Sequence, residues 1–306
     1  MKLALAVLVT SVLAVAQNAG ATDYSFSNAL TGPQNWTDAL DWAPATSPTG
    51  NSANAIINRT GASGDVTITT PGTVLTLGQF NFTAVSGSGL TVSLANDVTL
   101  VKNASVFGGT RGSINNATGD VTKMVFDLNG YTLDTVGIPS VTYPLLLSLT
   151  PANSTFTVKS TGNAGGTMVF ADYAGKTSIQ NNTTVWVRGT TASTVAVNTA
   201  STTFSAASTF VFSGGNANDY HRSQMYVTGN ASGNDAFANL VIGDTRVSHD
   251  ATAVNFSGTT GSAVVVRGNL TLAQNSDLYL GYASSLAAIK VGGNYSDAGG
   301  GMYTTY

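Results

Sequence analysis

Beyond about residue 55, the chain alternates hydrophobic and small polar residues in short runs. "VTIT" (66–69), "LTVSL" (90–94), "MVFDL" (124–128), "TVWV" (184–187), "TFVF" (209–212), "NLVIG" (239–243) and "DLYLG" (277–281) all carry a two-residue apolar period. Gly, Asn, Asp and Ser fill the gaps between them. A period of two sends successive side chains to opposite faces of a strand, so each run predicts a strand with one buried face. No stretch sustains a 3.6-residue apolar period. "ASSLAAIK" (283–290) has room for one helical turn, but its neighbours argue for strand.

Two all-β architectures fit short strands. A β-sandwich expects strands of about five to six residues spaced about 8–12 residues apart. A parallel β-solenoid expects shorter strands, two or three to a coil of about 20–30 residues. The runs here lie at the short end and pair across tiny breaks. Leu90–Leu94 is followed by Ala95-Asn96-Asp97 and then by Val98–Val101, and "NLTLAQNSDLYLG" repeats the layout at 269–281. Gly-Asn corners recur at Gly268-Asn269 and Gly293-Asn294, one plausible coil apart. The expected fold is therefore a right-handed, single-stranded parallel β-helix, with the β-sandwich as the alternative.

Composition strengthens the all-β reading. Only 9% of the 306 residues are charged, and all fifteen acidic residues are Asp. Glu, Lys and Arg, which favour helices, are absent or rare, whereas the 44 Thr favour strands and the 34 Gly and 26 Asn favour turns. A hydrophobic content of 42% is too high for a disordered chain. Net charge is −3 with the basic residues scattered, so no nucleic-acid partner is expected. The absence of cysteine removes disulfides and thiolate metal sites from consideration.

The N-terminus reads as an export signal. Lys2 precedes an apolar run from Leu3 to Ala16, and Ala19-Gly20-Ala21 supplies the small residues of a cleavage site. The run is shorter than the ~20 residues of a membrane span. Residues 1–21 are expected to be a Sec signal peptide, 22–58 an N-terminal cap segment, and 59–306 a β-solenoid truncated at its C-terminus. The product would be secreted or held at the cell surface, with no membrane span in the mature chain.

Two of the three tryptophans, Trp36 and Trp42, fall in "QNWTDALDWAPATSPTGNSANAIIN" (34–58). Their position just before the first regular strand predicts a cap over the solenoid's first coil rather than a sugar platform. Trp186 in "TVWVRG" is a candidate sugar contact if Val185 and Val187 face the core, and a core or ladder residue otherwise. Two polar clusters are candidates for a sugar or cation: Asp219 and His221 in "GGNANDYHR", and Asp244, Arg246, His249 and Asp250 in "GDTRVSHD". The plainer reading of both, and the favoured one, is an exposed loop between coils. "GGNAND" (214–219) resembles a calcium-binding nonapeptide with Ala217 in place of a glycine. Such sites need tandem copies, so no cofactor is expected and calcium is the one candidate.

Several motifs resemble those of a known family. "NWTDALDWAPATSPTGNSANAIIN", "FDLNGYTLDT" (126–135), "LTLAQNSDLYLG" and "IKVGGNYSD" are similar to segments of exported bacterial β-helix proteins. Those proteins carry autotransporter-associated or PEP-CTERM-type repeats and are abundant in Verrucomicrobia and Planctomycetes. The resemblance spans most of residues 34–306 and implies fold more than function. It departs in having neither a PEP-CTERM sorting signal nor a translocator barrel. A parallel β-helix also raises the possibility of a polysaccharide lyase or hydrolase. Such hydrolases need close carboxylates, and the nearest Asp pair in sequence is Asp38 with Asp41, in a loop. The expected function is a non-catalytic structural or adhesive protein, contacting cell-surface or matrix polysaccharide and associating with itself through solenoid ends. A carbohydrate-active enzyme or a carbohydrate-binding module is the alternative.

Overall fold

The structure is a computed structural model. It describes residues 22–59, 61–82, 88–100, 114–116, 124–134, 148–149, 156–161, 165–170, 177–179, 183–188, 194–198, 203–213, 222–228, 237–243, 252–257, 263–274, 276–280 and 288–304. The segment 1–21 lies outside this set. Among the described residues the chain is all-β, broken only by a short 3-10 turn at Ala39–Asp41. No helix among them is long and apolar enough to cross a membrane.

The strands gather into sheets of fourteen, seven, five and two strands. The chain visits these sheets in a recurring order. A strand of the seven-stranded sheet, such as Val66–Thr69 or Leu90–Ser93, leads round a corner into the fourteen-stranded sheet, at Leu75–Phe82 or Val98–Leu100. In the C-terminal third, each long-sheet strand is followed by one of the five-stranded sheet, as Asn239–Ile242 is by Thr252–Ser257. Neighbouring strands in a sheet therefore come from successive passes of the chain. Almost all pairing among the described strands is parallel, the exception being Thr22–Phe26 with Trp42–Ala43. That pattern removes the β-sandwich alternative, whose sheets are antiparallel. Parallel strands need long crossovers, usually helical. Here the crossovers run through strands of the other sheets, an arrangement compatible with a β-solenoid.

Strand register turns the two-residue period into stacks. In the long sheet, Leu75, Val98, Leu133, Met168, Val185, Phe210, Leu240 and Leu270 follow one another in register. All eight are buried. In the seven-stranded sheet, Ile68, Val92, Phe126 and Val158 form a second buried stack. The two stacks belong to one hydrophobic core. Fully burying a side chain of this size contributes about 1.5–3 kcal/mol, and every pass of the chain repeats the contribution.

The outward positions include a row of small polar residues beside an apolar row, Trp186, Val211 and Val241. Thr132, Thr167, Thr184, Thr209 and Asn239 run along the long sheet, and Thr67 stacks with Thr91 on the seven-stranded sheet. This pattern accounts for the threonine-rich composition: β-branched residues suit a pleated surface, and a short hydroxyl crowds its stacked neighbours little.

Candidate functional site

The Gly-Asn corners are built as side-chain ladders. Asn239 Nδ2 donates to the Ser208 carbonyl at 3.0 Å, and Asn239 Oδ1 accepts the Asn269 amide at 3.1 Å. Asn269 Oδ1 in turn accepts the Asn294 amide at 3.0 Å, twenty-five residues on. The preceding glycines allow the corners to stack this closely. A Cβ on Gly268 would lie 2.5 Å from the Ala238 carbonyl oxygen, and one on Gly293 would lie 2.7 Å from that of Gly268. Each Gly-Asn pair thus combines a backbone that fits under its neighbour with an amide that bonds to it. Asn239→Ala is expected to cost about 1–2 kcal/mol, from two lost hydrogen bonds. Asn239→Asp keeps the acceptor for the Asn269 amide but sets a second oxygen against the Ser208 carbonyl, so it should cost at least as much. Denaturant unfolding of both variants is the check, and equal stability of the alanine variant and the parent would contradict the ladder's role.

Aspartates perform the same task at other corners. Asp65 Oδ1 accepts the Gly89 amide and Asp97 Oδ1 accepts the Thr132 amide at 2.8 Å. Asp127 is the most heavily used. Its carboxylate accepts from the Thr161 amide and hydroxyl and from the Asn129 amide, and it pairs with Lys159 Nζ at 3.5 Å. Only 6% of Asp127 is exposed, although it lies on the face opposite the core residue Phe126. Asp297 Oδ1 accepts the amides of Gly299 and Gly300, which hold its carboxyl below the usual carboxylate range.

The two N-terminal tryptophans are enclosed. Trp36 and Trp42 are 1% and 3% exposed. Their rings lie 4.8 Å apart, with Phe80 against Trp36 and Phe26 against Trp42. Each indole N–H is satisfied inside, Trp36 by the Pro48 carbonyl at 2.9 Å and Trp42 by the Trp36 carbonyl at 3.0 Å. A sugar platform needs an open ring face, and neither tryptophan has one. The loop after them carries a cis Ala43–Pro44 peptide.

Trp186 departs from the sugar-contact expectation. Val185 does face the core, at 0% exposed, so the indole belongs to the opposite face. Yet Trp186 is only 6% exposed. Strand alternation assigns a side chain to a face but does not say what lies over that face, and this ring is covered. It offers no open stacking surface. Asp219, His221, Asp244, Arg246, His249 and Asp250 lie outside the described residues. So does "GGNAND". Among the described residues, no three His, Cys, Asp or Glu side chains are grouped so as to hold a metal ion.

Two residues with marked environments escape a pattern reading. Arg59 is 0% exposed. Its guanidinium donates to the carbonyls of Leu30 at 3.1 Å, Asn28 at 3.4 Å and Gly64 at 2.6 Å. Burial lowers its pKa, and Asp65 opposes that effect. Asp41 is 6% exposed, and its Oδ2 is enclosed without a hydrogen-bond partner. The only sequence hint for either is a charged residue set beside an apolar run, a signal shared with ordinary surface charges. Asp38 of the same loop caps the 3-10 turn, accepting the Leu40 amide at 3.1 Å. No family model matches the sequence, and neither a curated protein nor a solved structure matches it.

Proposed function

We propose that this chain is a non-catalytic extracellular β-solenoid, a rod-like spacer, adhesin passenger or matrix component exported through a Sec signal peptide. The observation that carries the reading is the eight-residue buried stack from Leu75 to Leu270, which runs unbroken from pass to pass. A chain that adds one buried layer per pass grows in length, and strands about 4.8 Å apart over the long sheet make a rod on the order of 50 Å. The outward Thr and Asn ladder, beside the apolar row Trp186, Val211 and Val241, suits a nearly uncharged side surface for contact with polysaccharide. In this reading Trp36 and Trp42 plug the first coil. Self-association draws on Tyr295 and Met302, which are 48% and 42% exposed at register positions where Leu270 and Leu278 are buried.

Two measurements on the purified chain test the proposal. Small-angle scattering should show an elongated particle, and incubation with pectin, alginate and neutral glucans should release neither unsaturated uronates nor reducing ends. A compact particle would remove the rod, and glycan cleavage abolished by an aspartate substitution would replace the structural reading with the enzymatic one.

A further inference from the structure

A buried carboxyl lies beside the strand that covers the first edge of the long sheet. Asp41 closes the turn Ala39–Asp41, and the next two residues, Trp42–Ala43, pair antiparallel with Thr22–Phe26 at the end of the sheet order. The Ser27 amide donates to the Asp41 carbonyl at 2.9 Å, tying the turn to that strand. Asp41 Oδ2 is enclosed with no donor to meet it. A carboxylate oxygen in that position is costly when charged and far less so when the group is neutral.

Among the described residues, nothing on the packed elements relieves the charge. Asp38, in the same turn, is itself acidic. Thr22–Phe26 brings Asp23, which accepts from Asn54 Nδ2 at 2.7 Å, and Tyr24. Gly50–Ile57 carries no charged residue. The buried guanidinium of Arg59 is directed at the carbonyls of Asn28, Leu30 and Gly64.

We infer that Trp42–Ala43 and its preceding turn form a pH-sensitive cover, held on the sheet edge while Asp41 is protonated and loosened when Asp41 ionises. Burial, and secondarily the neighbouring Asp38, raise the Asp41 carboxyl above its ordinary 3.8. In the loosened state the carboxyl returns towards that ordinary value. Closure is therefore fully favoured below 3.8, weakens about tenfold per pH unit up to the raised value, and is constant above it. Loosening bares the unpaired edge of Thr22–Phe26, which is a template for another strand.

The test is a pH titration of the full chain labelled with fluorotryptophan, with Trp36, Trp42 and Trp186 assigned by single substitution. The Trp42 signal should titrate with a midpoint above 3.8 while the Trp186 signal stays in place. Asp41→Asn should leave the Trp42 signal at its acid position throughout. Asp38→Asn keeps the turn's capping oxygen and should move the midpoint to lower pH. A Trp42 signal that does not titrate between about pH 3 and pH 8, one that titrates unchanged in Asp41→Asn, or three indole signals that move together would overturn the inference.

Discussion

Replacing Trp36 and Trp42 together with alanine should unfold the first passes of the chain. Each ring is nearly fully enclosed, and a buried Trp→Ala change costs about 3–5 kcal/mol. The two rings touch, so their losses couple and the sum is not additive. Each substitution also strands an acceptor, because the carbonyls of Pro48 and Trp36 lose their indole donors. The damage would begin at the N-terminal end. Trp36 packs on Phe80 and Trp42 on Phe26, so the strands Leu75–Phe82 and Thr22–Phe26 lose their cover. In a structure stabilised between neighbouring passes, a lost end exposes the next layer. Hydrogen exchange should show protection falling first over residues 22–82, together with increased aggregation. A double variant that keeps its protection and loses only affinity for a glycan would reverse the structural assignment of this cluster.

Arg59→Met should be nearly as damaging, although it removes a charge from an apolar place. The side chain fits in volume, but the carbonyls of Asn28, Leu30 and Gly64 lose the donors they share. Leaving buried acceptors unpaired costs about 1–3 kcal/mol each, and three carbonyls share the loss. Arg59→Lys should rescue only part, since one ammonium cannot span three acceptors in a planar fork. Denaturant unfolding gives the ranking: parent, then lysine, then methionine. If Arg59→Met equals the parent in stability, the three carbonyls do not depend on the guanidinium.

The strands could be read from the sequence because their signal is local. "VTIT" and "AVVV" coincide with the strands Val66–Thr69 and Ala263–Val266, and most other runs differ from the structure by one or two residues. The Gly-Asn corners could be read for a related reason: a residue without Cβ beside a short amide is itself the device that allows stacking. Less regular strands were missed. Thr22–Phe26 and Gly32–Asn35 carry no clean alternation, and they owe their strand geometry to pairing with Ala53–Ile56 and Val66–Thr69.

What the sequence determined by itself was the period, the punctuation and the low charge, and from these an all-β chain of short strands with one apolar face. Those features depend on near neighbours in the chain. Only the tertiary structure decided which strands pair, and that they do so in parallel, because partners such as Leu240 and Leu270 are separated by a whole pass of the chain. It also decided the fate of individual side chains. The alternation of "TVWV" put Trp186 opposite Val185 but could not reveal that the opposite face is covered there. Asp41 and Arg59 look like ordinary charges in sequence, and their burial follows from packing by segments their neighbours do not encode.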